Sequence, residues 1–343
     1  MCNMAAYAGK APAAPKLVNM LRNQEYLCGG HYTGIATICG NKIHMIKVIG
    51  PVSELLRRHP EVLDLPGTVG IAHSRTPGFD DDAWAQPFFS SDEKVIYCAN
   101  GSAGRFKDTV YQQIYDQFKQ SGTVFRTARK VNDAVYPVMD DGMCVHSSEI
   151  MANVVADFHK SMKLHRAMHA ALCQFPSEIA ALALSVKEEE SVSALRLNQP
   201  LMLGRDDSGF YLATSAFALE KEDITCINRV PHASSLSMTC DSVTIDSLDE
   251  FLPLFLPQAP VTDIFSTLDE MLFSDCDVEQ LCQTAEKCWP ADKLATANME
   301  TYEYLRDKVR SGLLEYFDTE VPGSSPALTA PRRRFKLRPK DAL

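Results

Sequence analysis

The chain has 343 residues, of which 45% are hydrophobic and 23% are charged, and its formal net charge is −10. These values are typical of a globular protein, and the negative charge argues against nucleic acid as the main partner. No apolar run approaches the roughly 18 residues of a membrane span, and the N-terminus lacks the pattern of a signal peptide. We therefore expect a cytoplasmic protein without a membrane partner.

The cysteine content points to a reducing compartment. Eleven cysteines, an odd number scattered through a large chain, suit reduced thiols. Cys276, Cys282 and Cys288 are evenly spaced, but their spacing matches no usual zinc motif, and we interpret them as helix residues. We therefore expect neither a metal nor another cofactor.

Strand and helix signals alternate through the first hundred residues. Residues 33–39 and 42–49 predict two strands joined at Gly40-Asn41, which is a hairpin signal. Apolar residues at helical spacing predict helices over 16–26 and 52–59. The other short apolar runs, which predict buried strands, are 3–7, 68–74 and 94–99.

Two long helices are predicted next, over residues 104–120 and 147–173, with an irregular segment between them. Short strands separated by turns then follow as far as about residue 246, over 179–186, 200–204, 210–214, 234–239 and 242–245. Because the strands come in sequential groups, the pattern favours antiparallel sheets covered by helices, which is an α+β fold.

The chain changes character after residue 248, where we place a domain boundary. A proline-containing apolar linker over 252–260 precedes residues 261–316, which are predicted to be helical throughout. Lys and Arg dominate residues 332–340, which predicts a disordered tail or, alternatively, a segment that docks on an acidic surface. The predicted organisation is a main domain over 1–248, a helical extension over 249–330 and a basic disordered tail over 331–343.

Cys2 is the most informative single residue. Removal of Met1 would leave a thiol and a free α-amine on the same residue. An α-amine has a pKa of about 8, so it is a usable base near neutral pH, and one residue would supply both nucleophile and base. If Met1 is retained, the α-amine is blocked and the site cannot work in that form. The ordinary alternative is an incidental second residue.

Two predicted strand ends carry polar groups suited to an amide substrate. Arg75 ends one strand, and its planar guanidinium could clamp a substrate carboxylate, although a lone arginine more often makes a surface ion pair. Asn100 and Gly101 end another strand. The Asn100 amide and the Gly101 backbone N–H could form an oxyanion hole, and a simple Asn-Gly turn is the alternative.

In order and spacing, these segments resemble the class II glutamine amidotransferase domain, as in glucosamine-6-phosphate synthase. Cys2, Gly70 to Arg75 and Asn100-Gly101 fall where that family places them, and the resemblance covers about residues 2–246. Further matching segments are 21–26, 32–36, 148–149, 198–204 and 211–214.

The resemblance implies a four-layer α-β-β-α sandwich of the N-terminal nucleophile hydrolase type, with Cys2 at the mouth of a pocket between two antiparallel sheets. It also implies hydrolysis of the glutamine side-chain amide through a thioester on Cys2. In that mechanism Asn100 and Gly101 stabilise the oxyanion, while Arg75 and Thr76 bind the substrate.

The chain departs from the family pattern at three places. Thr76-Pro77-Gly78 shortens the loop that closes over glutamine, and Ala85-Gln86-Pro87 stands where Ala-His-Pro is common. Ser147 takes the place of the aspartate that holds the glutamine α-amino group. A serine cannot neutralise an ammonium, and a charged hydrogen bond contributes about 1.5–3 kcal/mol. Either Asp140 or Asp141 substitutes, or the substrate is another amide.

The C-terminal segment is too short and too helical to hold the synthase half of the family. We therefore expect ammonia to pass to a separate partner, either a sugar-isomerase-like synthase or another acceptor. The sequence is also compatible with a homo-oligomer. A non-catalytic binding or regulatory relative is a further alternative. The extension carries apolar stripes that either dock the partner or cap their own sandwich, at Ile264, Leu268 and Leu272 and at Tyr302, Leu305, Val309 and Leu313.

Overall fold

The structure is a computed structural model that describes residues 1–106, 111–131, 136–220, 224, 226–255, 260, 263–290 and 292–338. Several predicted segments lie partly outside these residues. They are the helix at 104–120, the irregular segment before residue 147, the linker at 252–260, the helical segment at 261–316 and the basic tail. Among the described residues, no helix combines the length and the hydropathy needed to span a bilayer.

Seventeen short strands are spread along the described chain. In chain order they are β1 (Asn3–Gly9), β2 (Tyr32–Cys39), β3 (Lys42–Ile49), β4 (Val69–Arg75), β5 (Phe88–Phe89), β6 (Val95–Ser102), β7 (Arg129–Lys130), β8 (Met143–Cys144), β9 (Glu178–Ser185), β10 (Val192–Arg196), β11 (Met202–Asp206), β12 (Gly209–Ala213), β13 (Cys226–Arg229), β14 (Ser234–Met238), β15 (Val243–Ser247), β16 (Leu314–Pro322) and β17 (Thr329–Leu337).

The α-helices are distributed over both halves of the chain. They are α1 (Ala13–Cys28), α2 (Val52–Arg58), α3 (Tyr111–Gln120), α4 (Ser147–His159), α5 (Leu164–Gln174), α6 (Ile264–Met271), α7 (Val278–Glu286) and α8 (Ala297–Arg310).

Two antiparallel sheets form the centre of the molecule. The first sheet has seven strands in the order β13-β11-β12-β1-β4-β2-β3, and the second has six in the order β15-β14-β10-β9-β6-β5. In β4, Ala72 is opposite both Ala5 of β1 and Ile35 of β2, so β4 is paired on both edges. Strands β1 and β4 therefore run side by side at the middle of the first sheet.

The alternation of side chains along β1 explains the layering. Met4, Ala6 and Ala8 face the second sheet, in a core that also contains Ile96 and Leu182. Ala5 and Tyr7 point to the other face, where they pack under α1 and α2. A third core joins the outer face of the second sheet to α4 and α5. The layers are thus helices, sheet, sheet and helices, which confirms the predicted α+β sandwich.

Two predicted helices differ from those in the structure. The helix predicted over 147–173 is two helices, because α4 ends at His159 and α5 begins at Leu164. Of the helix predicted over 104–120, residues 111–120 form α3, whereas residues 104–106 are not helical. Of the evenly spaced cysteines, only Cys282 lies within a helix, since Cys276 precedes α7 and Cys288 follows it.

The last part of the chain is a β-hairpin, which corrects two predictions. Residues 314–316 belong to β16 rather than to a helix, and residues 331–337 belong to β17 rather than to a disordered tail. Basic composition is compatible with order here because the charges have acidic partners. Arg333 pairs with Asp318 at 2.6 Å, and Arg334 pairs with Asp275 at 3.0 Å.

The helices of the extension bury their apolar stripes within the chain. Ile264, Leu268, Leu272, Tyr302 and Leu305 share a core with Leu27 and Cys28 of α1 and with Phe335 of β17. This packing favours the interpretation that the extension caps its own sandwich. Met299 of α8 also enters the core beneath the first sheet. The domain boundary near residue 248 stays a prediction.

Candidate active site

The ends of three strands bring together the residues that the sequence singled out. Asn3 of β1 is opposite Ser74 of β4, so Cys2 and Arg75 lie at the same end of the first sheet. Asn100 belongs to β6 of the second sheet. Its Oδ1 atom accepts a 2.7 Å hydrogen bond from the Cys2 backbone nitrogen, which joins the two sheets at the nucleophile.

The Cys2 thiol is buried and lies next to the start of the loop after β4. Its Sγ atom is 3.6 Å from Oγ1 of Thr76. Burial is the largest single influence and raises the pKa of the thiol. The neighbouring His73 imidazole, the ammonium of Met1 and the Thr76 backbone together outweigh it and lower the pKa to about 6. The thiol is therefore largely ionised at neutral pH.

His73 is a residue that the sequence analysis missed. It is fully buried on β4, and its Nε2 atom lies 3.2 Å from the Ala99 carbonyl oxygen. A carbonyl only accepts, so Nε2 carries a proton and donates. Gln86 reaches the same strand, since its Nε2 atom donates to the Ala99 carbonyl at 3.0 Å and its Oε1 atom accepts from the Ala99 N–H at 2.8 Å. His73 and Gln86 thus fix the backbone immediately before Asn100.

Asn100 offers an unused donor at this point. Its Oδ1 atom accepts from the Cys2 nitrogen, whereas its Nδ2 atom is buried and has no hydrogen-bond partner among the described residues. Leaving such a donor unpaired is costly, so its presence beside a nucleophile suits a site for a developing oxyanion. Gly101 follows with a φ of 121°, and a Cβ there would lie 2.1 Å from the Glu178 carbonyl oxygen. Only glycine fits at this position.

Arg75 is enclosed by aromatic rings. The centre of its guanidinium lies 4.8 Å from the Tyr32 ring, 5.7 Å from the Trp84 ring and 5.0 Å from the Tyr136 ring. Nη1 donates to the Trp84 carbonyl at 2.8 Å, and Nη2 donates to the Tyr136 hydroxyl. Within the described part of the chain, no carboxylate lies within ion-pair distance of this buried cation. The arrangement suits an anionic ligand.

Ser147 is next in sequence to a residue that packs against this aromatic group, and the structure records no hydrogen bond from it to Cys2 or Arg75. It is the half-buried first residue of α4 and follows His146, whose ring centre is 4.9 Å from that of Tyr136. Burial, followed by the charge of Arg75, holds the pKa of His146 well below its usual value, so His146 is neutral.

Asp140 and Asp141 do not provide the missing carboxylate. Both residues are exposed, and Asp141 accepts from Lys119 at 2.8 Å and from the Tyr115 hydroxyl at 2.9 Å. The hypothesis that one of them replaces the family aspartate is therefore not supported by their positions.

One cluster in the described residues has the geometry of a metal site, although none was expected. One ligand atom each of His169, Cys173 and Glu250 lies within 4.8 Å of the others. His169 already pairs with Glu250 at 3.1 Å, and both Cys173 and Glu250 are exposed. The cluster contains none of the residues around Cys2, so it has no part in the chemistry of that site.

Comparison with known proteins gives both sequence relatives and solved structures that resemble the chain. No protein-family model matches the chain. It is 28% identical over 233 residues to a glutamine–fructose-6-phosphate aminotransferase (isomerizing) of Rhizobium leguminosarum bv. viciae, with 66% of this chain and 34% of the relative covered. A relative of the same name from Bacteroides thetaiotaomicron is 29% identical over 242 residues, with coverages of 67% and 36%. The chain spans about a third of the length of these relatives.

Solved structures share the fold. The glutamine phosphoribosylpyrophosphate amidotransferase of B. subtilis, complexed with ADP and GMP, superimposes with a TM-score of 0.59 at 14% identity, covering 92% of this chain and 66% of that one. A structure described as the allosteric regulatory enzyme of purine biosynthesis gives 0.58 at 15% identity, covering 89% and 63%. Together with the sequence relatives, they confirm the resemblance to a class II glutamine amidotransferase domain with the N-terminal nucleophile hydrolase fold.

Proposed function

We propose that this class II glutamine amidotransferase domain hydrolyses the side-chain amide of glutamine and supplies the ammonia to a separate synthase. The observation that carries the proposal is the divided role of the Asn100 amide. One end accepts from the nitrogen of Cys2 and the other is a buried, unpaired donor, so the group that places the nucleophile also awaits a negative oxygen. Arg75, which has no acidic partner among the described residues, supplies the positive charge for the substrate carboxylate.

The proposed reaction begins with attack by the Cys2 thiolate on the amide carbon of the substrate. The carbonyl electron pair moves to oxygen, where Asn100 Nδ2 and the Gly101 N–H stabilise the negative charge. The intermediate collapses, the nitrogen takes a proton and leaves as ammonia, and a γ-glutamyl thioester stays on Cys2. Water then cleaves the thioester to release glutamate and restore the thiol.

The α-amine of Cys2 has a specific place in this scheme. While Met1 is attached, the Cys2 nitrogen is an amide and cannot act as a base. After removal of Met1 the same nitrogen becomes an amine that Asn100 Oδ1 can still hold. In the form without Met1, this amine can take the thiol proton, protonate the departing nitrogen and activate water.

Covalent labelling tests the proposal directly. An electrophilic glutamine analogue such as 6-diazo-5-oxo-L-norleucine is expected to form one adduct on Cys2 of the protein that lacks Met1, and peptide mass mapping locates it. A label on another cysteine, or no label after Met1 removal has been verified, contradicts the glutaminase proposal. Intact mass also separates catalysis from a non-catalytic regulatory role, because retention of Met1 in the native protein favours the latter.

A second candidate, an amidohydrolase acting on another amide, is favoured by Ser147. Serine carries no charge, so this position does not neutralise the α-amino group of glutamine as the family aspartate does. Comparing glutamine with 4-carbamoylbutanoate, which lacks that amino group, tests it. A kcat/KM at least about tenfold higher for glutamine, the value of one charged hydrogen bond, supports glutamine. Equal values support the other amide.

The ammonia acceptor is proposed to lie on another chain. The sequence relatives are named glutamine–fructose-6-phosphate aminotransferases (isomerizing), and this name couples glutamine to a sugar-phosphate acceptor. We propose a sugar-isomerase-like synthase as partner, with another acceptor as the alternative, and a cytoplasmic location. Purification from the native organism with mass-spectrometric identification of bound chains tests this. Recovery of the chain alone, or only as a homo-oligomer, argues against a stable partner.

A further inference from the structure

The segment after β4 covers the substrate-binding face of Arg75. We call residues 76–81 the clamp loop. A Cβ added to Gly78 would lie 2.9 Å from Nη1 and 3.0 Å from Nη2 of Arg75, so the loop backbone occupies the space beside these two nitrogens. They form an edge that a carboxylate would bind in a bidentate manner. Because Arg75 is only 1% exposed, a carboxylate cannot reach this edge until the loop moves.

Both ends of the clamp loop are fixed to the sandwich. Arg75 belongs to β4. After the loop, Asp82 accepts from the Ile49 N–H at 2.6 Å and pairs with Arg58 at 2.8 Å. Lys47 then donates to the Ala85 carbonyl at 2.8 Å. Because both ends are held, a movement that uncovers Arg75 must occur within residues 76–81. Inside this loop, Asp81 pairs with Arg129.

The turn of the C-terminal hairpin holds this loop from outside. We call residues 323–328 the hairpin tip. The Gly78 N–H donates to Oγ of Ser324 at 3.1 Å. Leu328 packs against the core that contains Tyr32 and Trp84, two of the rings around Arg75. The hairpin tip thus contacts both the loop and the aromatic wall beneath it.

The hairpin tip is connected to the helices of the extension. The N–H of Cys276, just before α7, donates to the Phe335 carbonyl at 2.9 Å, and the Phe335 N–H donates back at 2.8 Å. The Leu337 N–H donates to the carbonyl of Leu272 at 2.9 Å. A displacement of α6 or α7 would therefore be passed along β17 to the clamp loop.

We infer that the hairpin tip is a gate, in which Ser324 and Leu328 are positioning residues that hold the clamp loop closed over Arg75. The identity of the ligand, an amino acid with a free carboxylate, rests on the proposed function. The gate itself rests on the contacts described above. A closed gate lowers apparent affinity, since the apparent Kd equals the intrinsic Kd divided by the open fraction. Loss of one net hydrogen bond raises a small open fraction about fivefold.

The gate is tested with Ser324→Ala in a Trp289→Phe background, which leaves Trp84 as the only tryptophan. Trp84 is fully buried, and its ring lies 4.6 Å from that of Phe79 in the clamp loop. Acrylamide quenching of Trp84 fluorescence is expected to increase about fivefold in Ser324→Ala and further in Leu328→Ala. Ser324→Thr, which keeps the hydroxyl, is expected to restore the original value. Quenching unchanged in both alanine variants overturns the gate.

Ser325→Ala is the matched control. Ser325 accepts from the Leu328 N–H at 3.0 Å through its backbone carbonyl, and the substitution keeps that bond. It is expected to leave quenching unchanged, and an equal increase in this control overturns the role of Ser324. Calorimetric titration with L-glutamate provides the second readout, with apparent Kd about fivefold lower in Ser324→Ala. A higher Kd together with increased quenching shows that the tip preorganises the clamp instead, which also overturns the gate. If no variant binds L-glutamate, the glutamine proposal fails, and quenching alone decides the gate.

Discussion

The nucleophile end and the clamp end of the candidate site are built in opposite ways. At the nucleophile end, Asn100 Oδ1 accepts from the Cys2 nitrogen, and its Nδ2 atom is buried with no partner in the described part of the chain. At the clamp end, the Nη atoms of Arg75 already bond to the Trp84 carbonyl and the Tyr136 hydroxyl, and Gly78 covers the guanidinium. The nucleophile end can accept its ligand without rearrangement, whereas the clamp loop must move before a carboxylate can bind at the clamp end.

This difference separates the chemistry of the site from access to it. An unpaired buried amide costs about 1–3 kcal/mol, and that cost is recovered only when negative charge develops beside it. The Arg75 cation is stabilised without substrate by aromatic faces and two neutral acceptors. Changes at the nucleophile end should therefore alter turnover, whereas changes at the clamp end should alter binding.

The largest expected effect removes a support that both ends share. The core of the extension contains Cys28 and reaches Met1 beside the nucleophile, and the hairpin tip covers the clamp. Truncation after residue 248 is expected to give insoluble protein, because it exposes Leu27, Cys28 and their neighbours. Solubility and the thermal unfolding transition measure this.

Co-expression of residues 249–343 as a separate chain is the control for that truncation. Recovery of soluble protein in its presence would identify the lost packing as the cause. A soluble truncated chain with a cooperative transition and full glutaminase activity would instead support a separable docking module, contrary to our expectation.

The next largest effect tests the nucleophile end. Asn100→Ala should lower kcat by about 10²–10³, the usual loss for one oxyanion donor, with little change in KM. Asn100→Asp is the second variant. It keeps an acceptor for the Cys2 nitrogen but replaces the Nδ2 donor by a carboxylate oxygen, whose negative charge opposes the developing oxyanion, so kcat should fall at least as far as in Asn100→Ala. Steady-state kinetics with glutamine measure both. Turnover within a factor of two of the original in either variant would remove Asn100 from the oxyanion hole.

The strand-borne half of this comparison could be predicted from the sequence. Cys2, Arg75 and Asn100 each lie at or beside the end of a short apolar strand, and the period-2 alternation of β1 fixes which residues face the second sheet. His73 was detectable by the same rule, because it lies two residues before Arg75 on one face of β4. No sequence pattern distinguishes it, however, from a buried histidine with a purely structural role.

The clamp half depends on contacts that local patterns do not encode. Tyr136 meets Arg75 across 61 residues and Ser324 meets Gly78 across 246, and no periodicity predicts such pairs. The basic tail was misjudged for a related reason. Its arginines pair with Asp318 on the opposite strand and with Asp275 before α7, and only the folded chain brings these charges together.

The ionisation of the Cys2 thiol provides the third prediction. Its pKa of about 6 means that the thiolate, and thus reactivity with iodoacetamide, appears as pH rises through about 6. His73→Gln removes the main group that opposes burial, so the midpoint should move towards or above the ordinary thiol value of about 8.5. At pH 7 the rate should fall roughly 30-fold. Peptide mapping of Cys2 alkylation against pH measures the shift.

His44→Gln, a histidine on β3 in the same sheet, is the control for that substitution and should leave the Cys2 profile in place. The exposed Cys39 and Cys173 serve as internal references for reagent reactivity. An unchanged midpoint in His73→Gln would mean that His73 does not stabilise the thiolate.

The smallest expected effect tests the clamp end. Arg75→Ala should raise KM for glutamine far more than it lowers kcat, but it also leaves a hole among Tyr32, Trp84 and Tyr136. Arg75→Lys retains the charge and most of the volume and loses only the planar fork, so KM should rise about tenfold with kcat nearly unchanged. Glutamine α-amide, which lacks the carboxylate, provides the cross-check. Its kcat/KM should be low with the original protein and equally low with Arg75→Lys, because the α-amide has no carboxylate for either side chain to bind. If Arg75→Lys lowers kcat/KM for the α-amide as much as for glutamine, Arg75 acts on something other than the substrate carboxylate, and the clamp assignment is wrong.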